Sequence, residues 1–252
     1  MVGVFLCSVW YNGAMHRFFL EEKFEENISI QGPKAHHILN VLRMQPDEEL
    51  ELVFDDGIIA RMRIEEVASG YVALRSLEIL EKGSEPMCQV TLAQGLAKGE
   101  KMDFVLQKVV ELGAEAIIPL AMENCVVKIP PNKQLQRLER WSKIIAAAAA
   151  QSHRDRLPRL FPISTLSEAL AADYDLILLA YEGERQTMLK EVLRGSNYKK
   201  ILVIIGPEGG ISPAELALAA KFGAKRISLG KRILRTETAG IVVLSNIFYE
   251  LG

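Results

Sequence analysis

The stretch Ile201-Leu202-Val203-Ile204-Ile205-Gly206-Pro207-Glu208-Gly209-Gly210-Ile211-Ser212-Pro213-Ala214-Glu215 decides how the rest of the chain is read. Its first five residues are all apolar, the pattern of a parallel-sheet strand covered on both faces. Ser212 and Glu215 then form a capping box with Pro213 at the first helical position, so the intervening loop runs straight into a helix. Three glycines in five residues let the backbone pass close to a ligand or to another chain segment. No Gly-Lys-Ser/Thr follows, and the Gly-x-Gly-x-x-Gly dinucleotide turn is absent, so neither phosphate-binding motif applies. Glu208 would repel phosphate. The loop is therefore either a tight structural turn at a strand end or the seat of a neutral or cationic small molecule, as strand ends of α/β sheets commonly are.

The same texture extends outward. Residues 90–93, 116–120, 176–180 and 226–229 are further short apolar strands, and their alternation with helices predicts a mostly parallel α/β sheet. Met102, Val105, Leu106, Val109 and Val110 make a helical stripe ending at Gly113, a natural cap. A helix over 137–152 carries five consecutive alanines, Ala146 to Ala150, which are either small enough for close packing against another helix, such as one of a second subunit, or simply strong helix formers. The strand at 226–229 leads through Gly230-Lys231-Arg232-Ile233-Leu234-Arg235-Thr236-Glu237 into a final helix, 239–251, apolar nearly all round and expected to be buried. Arg232, Arg235 and Glu237 thus carry charge to the edge of a core, or form an ordinary surface pair. A third segment, Gln151-Ser152-His153-Arg154-Asp155-Arg156-Leu157-Pro158-Arg159, closes the alanine helix with three arginines, which suit either the helix dipole or a phosphate.

The first third of the chain reads differently. Residues 17–20, 28–30, 49–54, 58–67 and 71–77 are short strands separated by Asp55-Asp56-Gly57 and Ser69-Gly70. One helix interrupts them at 33–42, with Ile38, Leu39 and Leu42 on one face, and 81–86 reads as a linker. This is a small barrel with one helix. Residues 15–86 hold 8 Lys plus Arg against 15 Asp plus Glu, a balance of −7; residues 87–252 hold 22 against 17, a balance of +5. The net charge of −2 therefore hides a second half suited to phosphate, unless the asymmetry is surface scatter. With 49% hydrophobic and 25% charged residues and no apolar run near twenty, the chain belongs with soluble globular proteins and is expected in the cytoplasm, with no membrane partner. The apolar opening 2–10 has no preceding Lys or Arg and no cleavage pattern, so residues 1–14 are read as an extension, with a second start-like Met15. Cys7, Cys88 and Cys125 match no disulfide or zinc spacing, and the adjacent His36 and His37 point apart on a helix, so no metal is expected.

With these segments assembled, the chain from Met15 nearly to its end resembles the 16S ribosomal RNA uridine-N3 methyltransferase family of the SPOUT superfamily. The most specific marks are Gly206-Pro-Glu-Gly-Gly-Ile-Ser with Glu215, and Leu229-Gly-Lys-Arg-Ile-Leu-Arg-Thr-Glu-Thr-Ala239. Supporting marks are Lys101 through Lys108 to Glu111-Leu-Gly-Ala114, Arg140-Trp141, Gln151-Ser152 with Arg154, and His37-Ile-Leu-Asn-Val-Leu-Arg43.

The resemblance implies a PUA-like RNA-binding β-barrel at 15–83, a trefoil-knotted α/β (SPOUT) methyltransferase domain at 87–252, and a homodimer. General topology rules count against a knot, so that expectation rests on the family. It implies S-adenosylmethionine as cofactor, S-adenosylhomocysteine as product, and ribosomal RNA, within the assembled small subunit, as partner. The cofactor loops correspond to Leu179 and Ala180, to Gly206, Pro207, Glu208, Gly209 and Gly210, and to Leu229, Gly230, Ile233 and Leu234. Arg235 and Glu237, with Arg154 reaching the substrate, are the expected catalytic group, Glu237 orienting the arginine. Arg17, His37, Arg43, Lys98, Lys101 and Arg154 are the expected RNA contacts, although His37 and Arg43 could equally cap or pair locally. Ala150 stands where the family commonly has an acid, so no role carries over to that position. The competing readings are a ribose 2′-O methyltransferase of the same superfamily and a non-catalytic RNA-binding module.

Overall fold

The computed structural model describes residues 15–251, and the expectation for residues 1–14 lies outside them. The chain divides between Lys82 and Gly83 into two units. In the first, β1 (Arg17–Phe19), β2 (Asn27–Gln31), β3 (Glu49–Val53), β4 (Ile59–Ala68) and β5 (Tyr71–Ile79) form one sheet in the order β1-β3-β4-β5-β2. Only β1 and β3 run parallel. Alternation decides its faces: Leu50 and Leu52 of β3, Met62 and Ile64 of β4, and Val72 and Leu74 of β5 are buried together, while Arg61 and Arg63 project from the opposite face. Two register shifts between β4 and β5 bend the sheet around this core. At the turn after β3, the Asp56 carboxylate accepts N–H groups from Phe24 and Ile58, chiefly the former, which hold its pKa below the ordinary value.

The helix expected at 33–42 is shorter and widens. It is α-helical only over α1 (Gly32–His36) and continues as a π-helical turn, His37–Val41, closed by Leu42 N–H donating to His37 O at 2.9 Å. Ala35 and Ile38 fill the core, and the wider turn leaves Val41 58% exposed.

In the second unit, β6 (Gln89–Gly95), β7 (Ala116–Leu120), β8 (Arg159–Leu160), β9 (Leu176–Ala180), β10 (Lys200–Ile205) and β11 (Lys225–Ile227) form one parallel sheet, ordered β11-β9-β10-β6-β7-β8. The helices are α2 (Lys101–Leu112), α3 (Pro131–Gln151), α4 (Leu166–Leu170), α5 (Leu189–Leu193), α6 (Pro213–Lys221) and α7 (Thr236–Leu251). Among them, α2 packs against both α3 and α7 and buries the predicted stripe of Met102, Val105, Leu106, Val109 and Val110. Gly113 ends α2 with φ at 113°, where Pro86 packs against it too closely for a side chain.

The sequence reading missed β8, α4 and α5, which have two or five residues and too little periodicity to register. Two further departures matter for function. The last strand stops at Ile227, so Ser228 and Leu229 belong to the following loop; and α7 starts at Thr236, placing Glu237 in its first turn. Nor is α7 buried all round: Thr238, Ser245, Asn246 and Tyr249 are exposed, Tyr249 by 87%. Among the described residues, no helix is long and apolar enough to cross a membrane.

Candidate functional site

Because β11, β9 and β10 are parallel neighbours, the loops leaving them emerge at one edge of the sheet. Together they enclose a cavity of 530 Å³. This is the carboxyl edge, where chain reversals free backbone N–H and C=O groups for a ligand.

The middle wall is the glycine-rich loop, and its backbone is anchored from behind. Thr236 Oγ1 donates to Gly206 O at 2.6 Å, and Gln94 Nε2 donates to Thr236 Oγ1 at 2.8 Å, so the ends of β6 and β10 and the start of α7 are tied through one buried chain. A Cβ on Gly95 would strike Pro207, and one on Gly209 would strike the Asn124 carbonyl. Glu215, besides closing the predicted capping box at Ser212, accepts the Glu123 N–H at 2.9 Å. The loop is thus both things the sequence left open: a tight turn on its outer side, a cavity wall on its inner side.

Glu208 is held at two points, by the Lys98 N–H and the Lys101 ammonium, each at 3.1 Å. Burial pushes its pKa up, but these hydrogen bonds and the ammonium charge outweigh it, and the carboxyl lies below its ordinary value. Lys101 also faces Glu237 at 3.5 Å, and its pKa is raised, first by the bond to Glu208. The first wall follows β9, where Glu184 accepts the N–H groups of Gln186, Thr187 and Arg185; these hold its pKa low. The third wall joins the first through Ser228 N–H donating to Thr187 O at 2.8 Å.

Of the predicted cofactor residues, Ala180, Gly206, Pro207, Glu208, Gly209, Gly210, Leu229, Gly230, Ile233 and Leu234 all line the cavity. Leu179 does not: it is fully buried inside the sheet, one residue short of the strand end. Sequence reasoning missed Tyr181, Glu182, Glu184 and Arg185 on the first wall. The available signal was the charge of Glu182, Glu184 and Arg185 directly after an apolar strand.

Arg235 lines the cavity, but Glu237 lies beside it, engaged with Lys101, and no bond from Glu237 to Arg235 orients the arginine. Arg154 is a clear departure. It is 2% exposed, its guanidinium forks onto Glu85 at 2.9 and 2.6 Å, and it donates to Val110 O and Ala114 O at the end of α2. A side chain so occupied caps a helix and pins the chain at Glu85 rather than reaching a substrate. Among the RNA candidates, Arg17 pairs with Glu51 at 2.7 Å and Lys101 is held by two carboxylates, while His37, Arg43 and Lys98 are exposed. On the cavity rim, Arg185, Arg232 and Arg235 are exposed, as is Lys231 next to Arg232 in the chain, and no carboxylate of the described residues lies within ion-pair distance of any of them. No group of three or more His, Cys, Asp or Glu among the described residues is placed to hold a metal ion.

Residues 84–248 match the RNA methyltransferase domain family, and residues 30–75 match the RNA methyltransferase PUA domain family. The chain is 35% identical over 248 residues to Ribosomal RNA small subunit methyltransferase E of Bacillus subtilis, covering 94% of this chain and 97% of that one. Among solved structures, a methyltransferase from Legionella pneumophila in complex with the cofactor SAM superposes with a TM-score of 0.84 at 33% identity, over 92% of this chain and 96% of that one. Ribosomal RNA small subunit methyltransferase E from Neisseria gonorrhoeae, bound to S-adenosyl methionine, superposes with a TM-score of 0.82 at 33% identity, over the same shares. A curled first sheet, a parallel second sheet with its cavity at the carboxyl edge, and matches that run nearly end to end therefore agree: this chain belongs to the ribosomal RNA small subunit methyltransferase E family.

Proposed function

We propose that the chain transfers a methyl group from S-adenosylmethionine to N3 of a uridine in small-subunit ribosomal RNA, releasing S-adenosylhomocysteine. The observation that carries this reading is the juxtaposition of a loop-walled cavity with a rim of unpaired cations. The walls suit the cofactor chemically. Ile211, Leu229 and Leu234 offer apolar surface to an adenine, loop backbone groups can read its edge, and the acidic residues Glu182 and Glu184 favour a ligand with positive charge over a phosphate.

When bound, S-adenosylmethionine supplies an electrophilic methyl on a sulfonium. The chain's own residues must do the rest. Uridine N3 carries a proton and a delocalised lone pair, so that proton must pass to solvent water before N3 can attack. Arg235, on the rim and free of any described acid, stabilises the negative charge that develops on the uracil ring. The N3 edge is hidden in a duplex, so the base enters the cavity unpaired and unstacked, and Arg185 and Arg232 hold flanking phosphates.

The same reading takes residues 15–83 as an RNA-facing barrel and 87–252 as the catalytic domain, with a trefoil threading of the cavity loops. It places the protein in the cytoplasm with its ribosomal substrate. It also pairs two copies along the exposed stripe of α7, where Thr238, Ser245 and Tyr249 leave a helix face uncovered. The test is transfer of labelled methyl from S-adenosylmethionine to unmodified small ribosomal subunits, followed by nucleoside analysis. 3-Methyluridine is the expected product; a 2′-O-methylated ribose, or cofactor binding without transfer, overturns the proposal.

A further inference from the structure

We propose that Tyr181 is the platform on which the unstacked uracil lies, its ring holding one face of the base so that the N3 edge is left open to the methyl donor. This assignment rests on the methyltransferase reading for the identity of the base. Three lines of argument carry it.

The first is what the cavity walls are made of. Among the described residues that line the cavity, Tyr181 alone is aromatic. The reading requires two flat rings to enter, the adenine of the cofactor and the uracil of the substrate. Aliphatic surface for the adenine lies on the other two walls, at Ile211, Leu229 and Leu234. Beyond Ala180, the first wall offers no aliphatic side chain; it presents the tyrosine ring and, four residues on, the exposed Arg185. An aromatic face and a phosphate-holding cation on one short turn are the pairing by which unpaired nucleotides are held.

The second is the seat of the ring. Tyr181 is the first residue after β9, and its N–H donates to Ile227 O at 3.2 Å. Its carbonyl accepts the Glu184 N–H at 3.0 Å, closing a turn over 181–184, and the Glu184 carboxylate secures the N–H groups of the next three residues. The backbone that carries the ring is thus fixed on both sides. Within the turn, a Cβ on Gly183 would stand 2.5 Å from Cε1 and 2.8 Å from Cζ of Tyr181. Gly183 lies outside the left-handed region, so its backbone does not call for glycine; what excludes a side chain there is the tyrosine ring. The half-buried ring is seated against Gly183 in a turn built to take it, and is in place before any base arrives.

The third is the direction of attack. Once the N3 proton has passed to water, the N3 lone pair lies in the plane of the uracil ring, so the methyl must arrive edge-on. The N3–C bond forms as the S–C bond breaks, and the electron pair of that bond stays on sulfur. The faces of the base are therefore the surfaces that can be held without blocking transfer, and an aromatic face replaces the stacking that the base loses on leaving its neighbours. Tyr181 makes and breaks no bond; it positions the ring that does.

The experiment takes the full chain and measures, for each variant, the Kd of S-adenosylmethionine by calorimetry and the single-turnover rate of methyl transfer to unmodified small ribosomal subunits, at saturating RNA and cofactor. Tyr181→Leu keeps the apolar bulk and removes the aromatic face, so its rate falls about 10- to 100-fold while the cofactor Kd stays that of the unaltered chain. Tyr181→Phe restores the ring and recovers most of the loss. Gly183→Ala pushes the ring from its seat and also slows transfer, and the double variant Tyr181→Leu/Gly183→Ala is no slower than Tyr181→Leu alone, because both changes remove the same contact. A weakened cofactor Kd in Tyr181→Leu puts the ring under the adenine and overturns the inference, as does a loss of rate that Tyr181→Phe does not recover. An unaltered chain that binds cofactor but methylates no uridine overturns the methyltransferase reading itself, whereas an unchanged rate in Tyr181→Leu overturns only the platform.

Discussion

Two arginine-rich stretches of the second unit have nearly the same composition and opposite uses. Between Arg154 and Arg159, each cation is consumed by its own chain: Arg154 on Glu85 and two helix-end carbonyls, Arg156 on Glu85 and Glu115, Arg159 over the ring of Phe161. Between Lys231 and Arg235, no described acid approaches any of the three cations, and two of them line the cavity. Nothing in the local sequence separates the two. The difference lies in where the acids are: Glu85 and Glu115 are brought to the first stretch from 69 and 41 residues away. Glu237, only two residues from Arg235, is turned to Lys101 by the first turn of α7.

Substitutions can break this contrast, the largest effect first. Arg154→Ala removes the buried guanidinium that forks onto Glu85 and donates to the Val110 and Ala114 carbonyls, leaving Glu85 only the Asp155 N–H and Arg156, and should destabilise the fold by about 3–5 kcal/mol in urea unfolding. A loss under about 1 kcal/mol would return Arg154 to the list of functional arginines. Arg235→Ala should do the reverse: stability within about 0.5 kcal/mol of the unaltered chain, but a single-turnover methyl transfer rate about 10²-fold lower at saturating RNA and cofactor. An unchanged rate removes Arg235 from the reaction.

Thr236→Val interrupts the Gln94–Thr236–Gly206 chain that anchors the glycine-rich loop, at a cost of about 1–3 kcal/mol. It should weaken cofactor binding in calorimetry; binding as tight as before would show that the loop holds its shape unaided. The smallest effect is in pH dependence. A carboxyl with a depressed folded pKa stabilises above its unfolded value and loses that contribution as pH falls, so Glu208 matters at the acid end, below about its ordinary 4.5. Lys101, raised, contributes fully below its ordinary 10.5 and loses its part only in strong alkali. Glu208→Gln should therefore lower thermal stability slightly in the neutral range and flatten the acid limb, the two chains converging as pH falls below about 4.5; a steeper acid limb would mean that the carboxylate is not the stabilising form.

The fold was legible wherever a local pattern is long or punctuated. The apolar strands at 116–120 and 176–180 have the predicted bounds, because a covered parallel strand needs uninterrupted apolar residues. The Ser212–Glu215 box starts α6 where expected, because its hydrogen bonds span three residues. The site was legible in part through Gly206 to Gly210 and the loop after Ile227. The first wall was not, since Tyr181, Glu182 and Arg185 carry no motif and acquire meaning only when β9 is placed between β10 and β11.

By itself, then, the sequence determined a β-rich first unit, a parallel second one, and the glycine and arginine loops that border a ligand. It could do so because strand, helix and cap preferences act over a few residues. Only the tertiary structure decided which charges are available. An arginine's use depends on whether a carboxylate lies within about 4 Å, and such pairs join residues far apart in the chain, as Arg154 and Glu85 do. That proximity is a product of sheet order and loop packing, which no local pattern encodes.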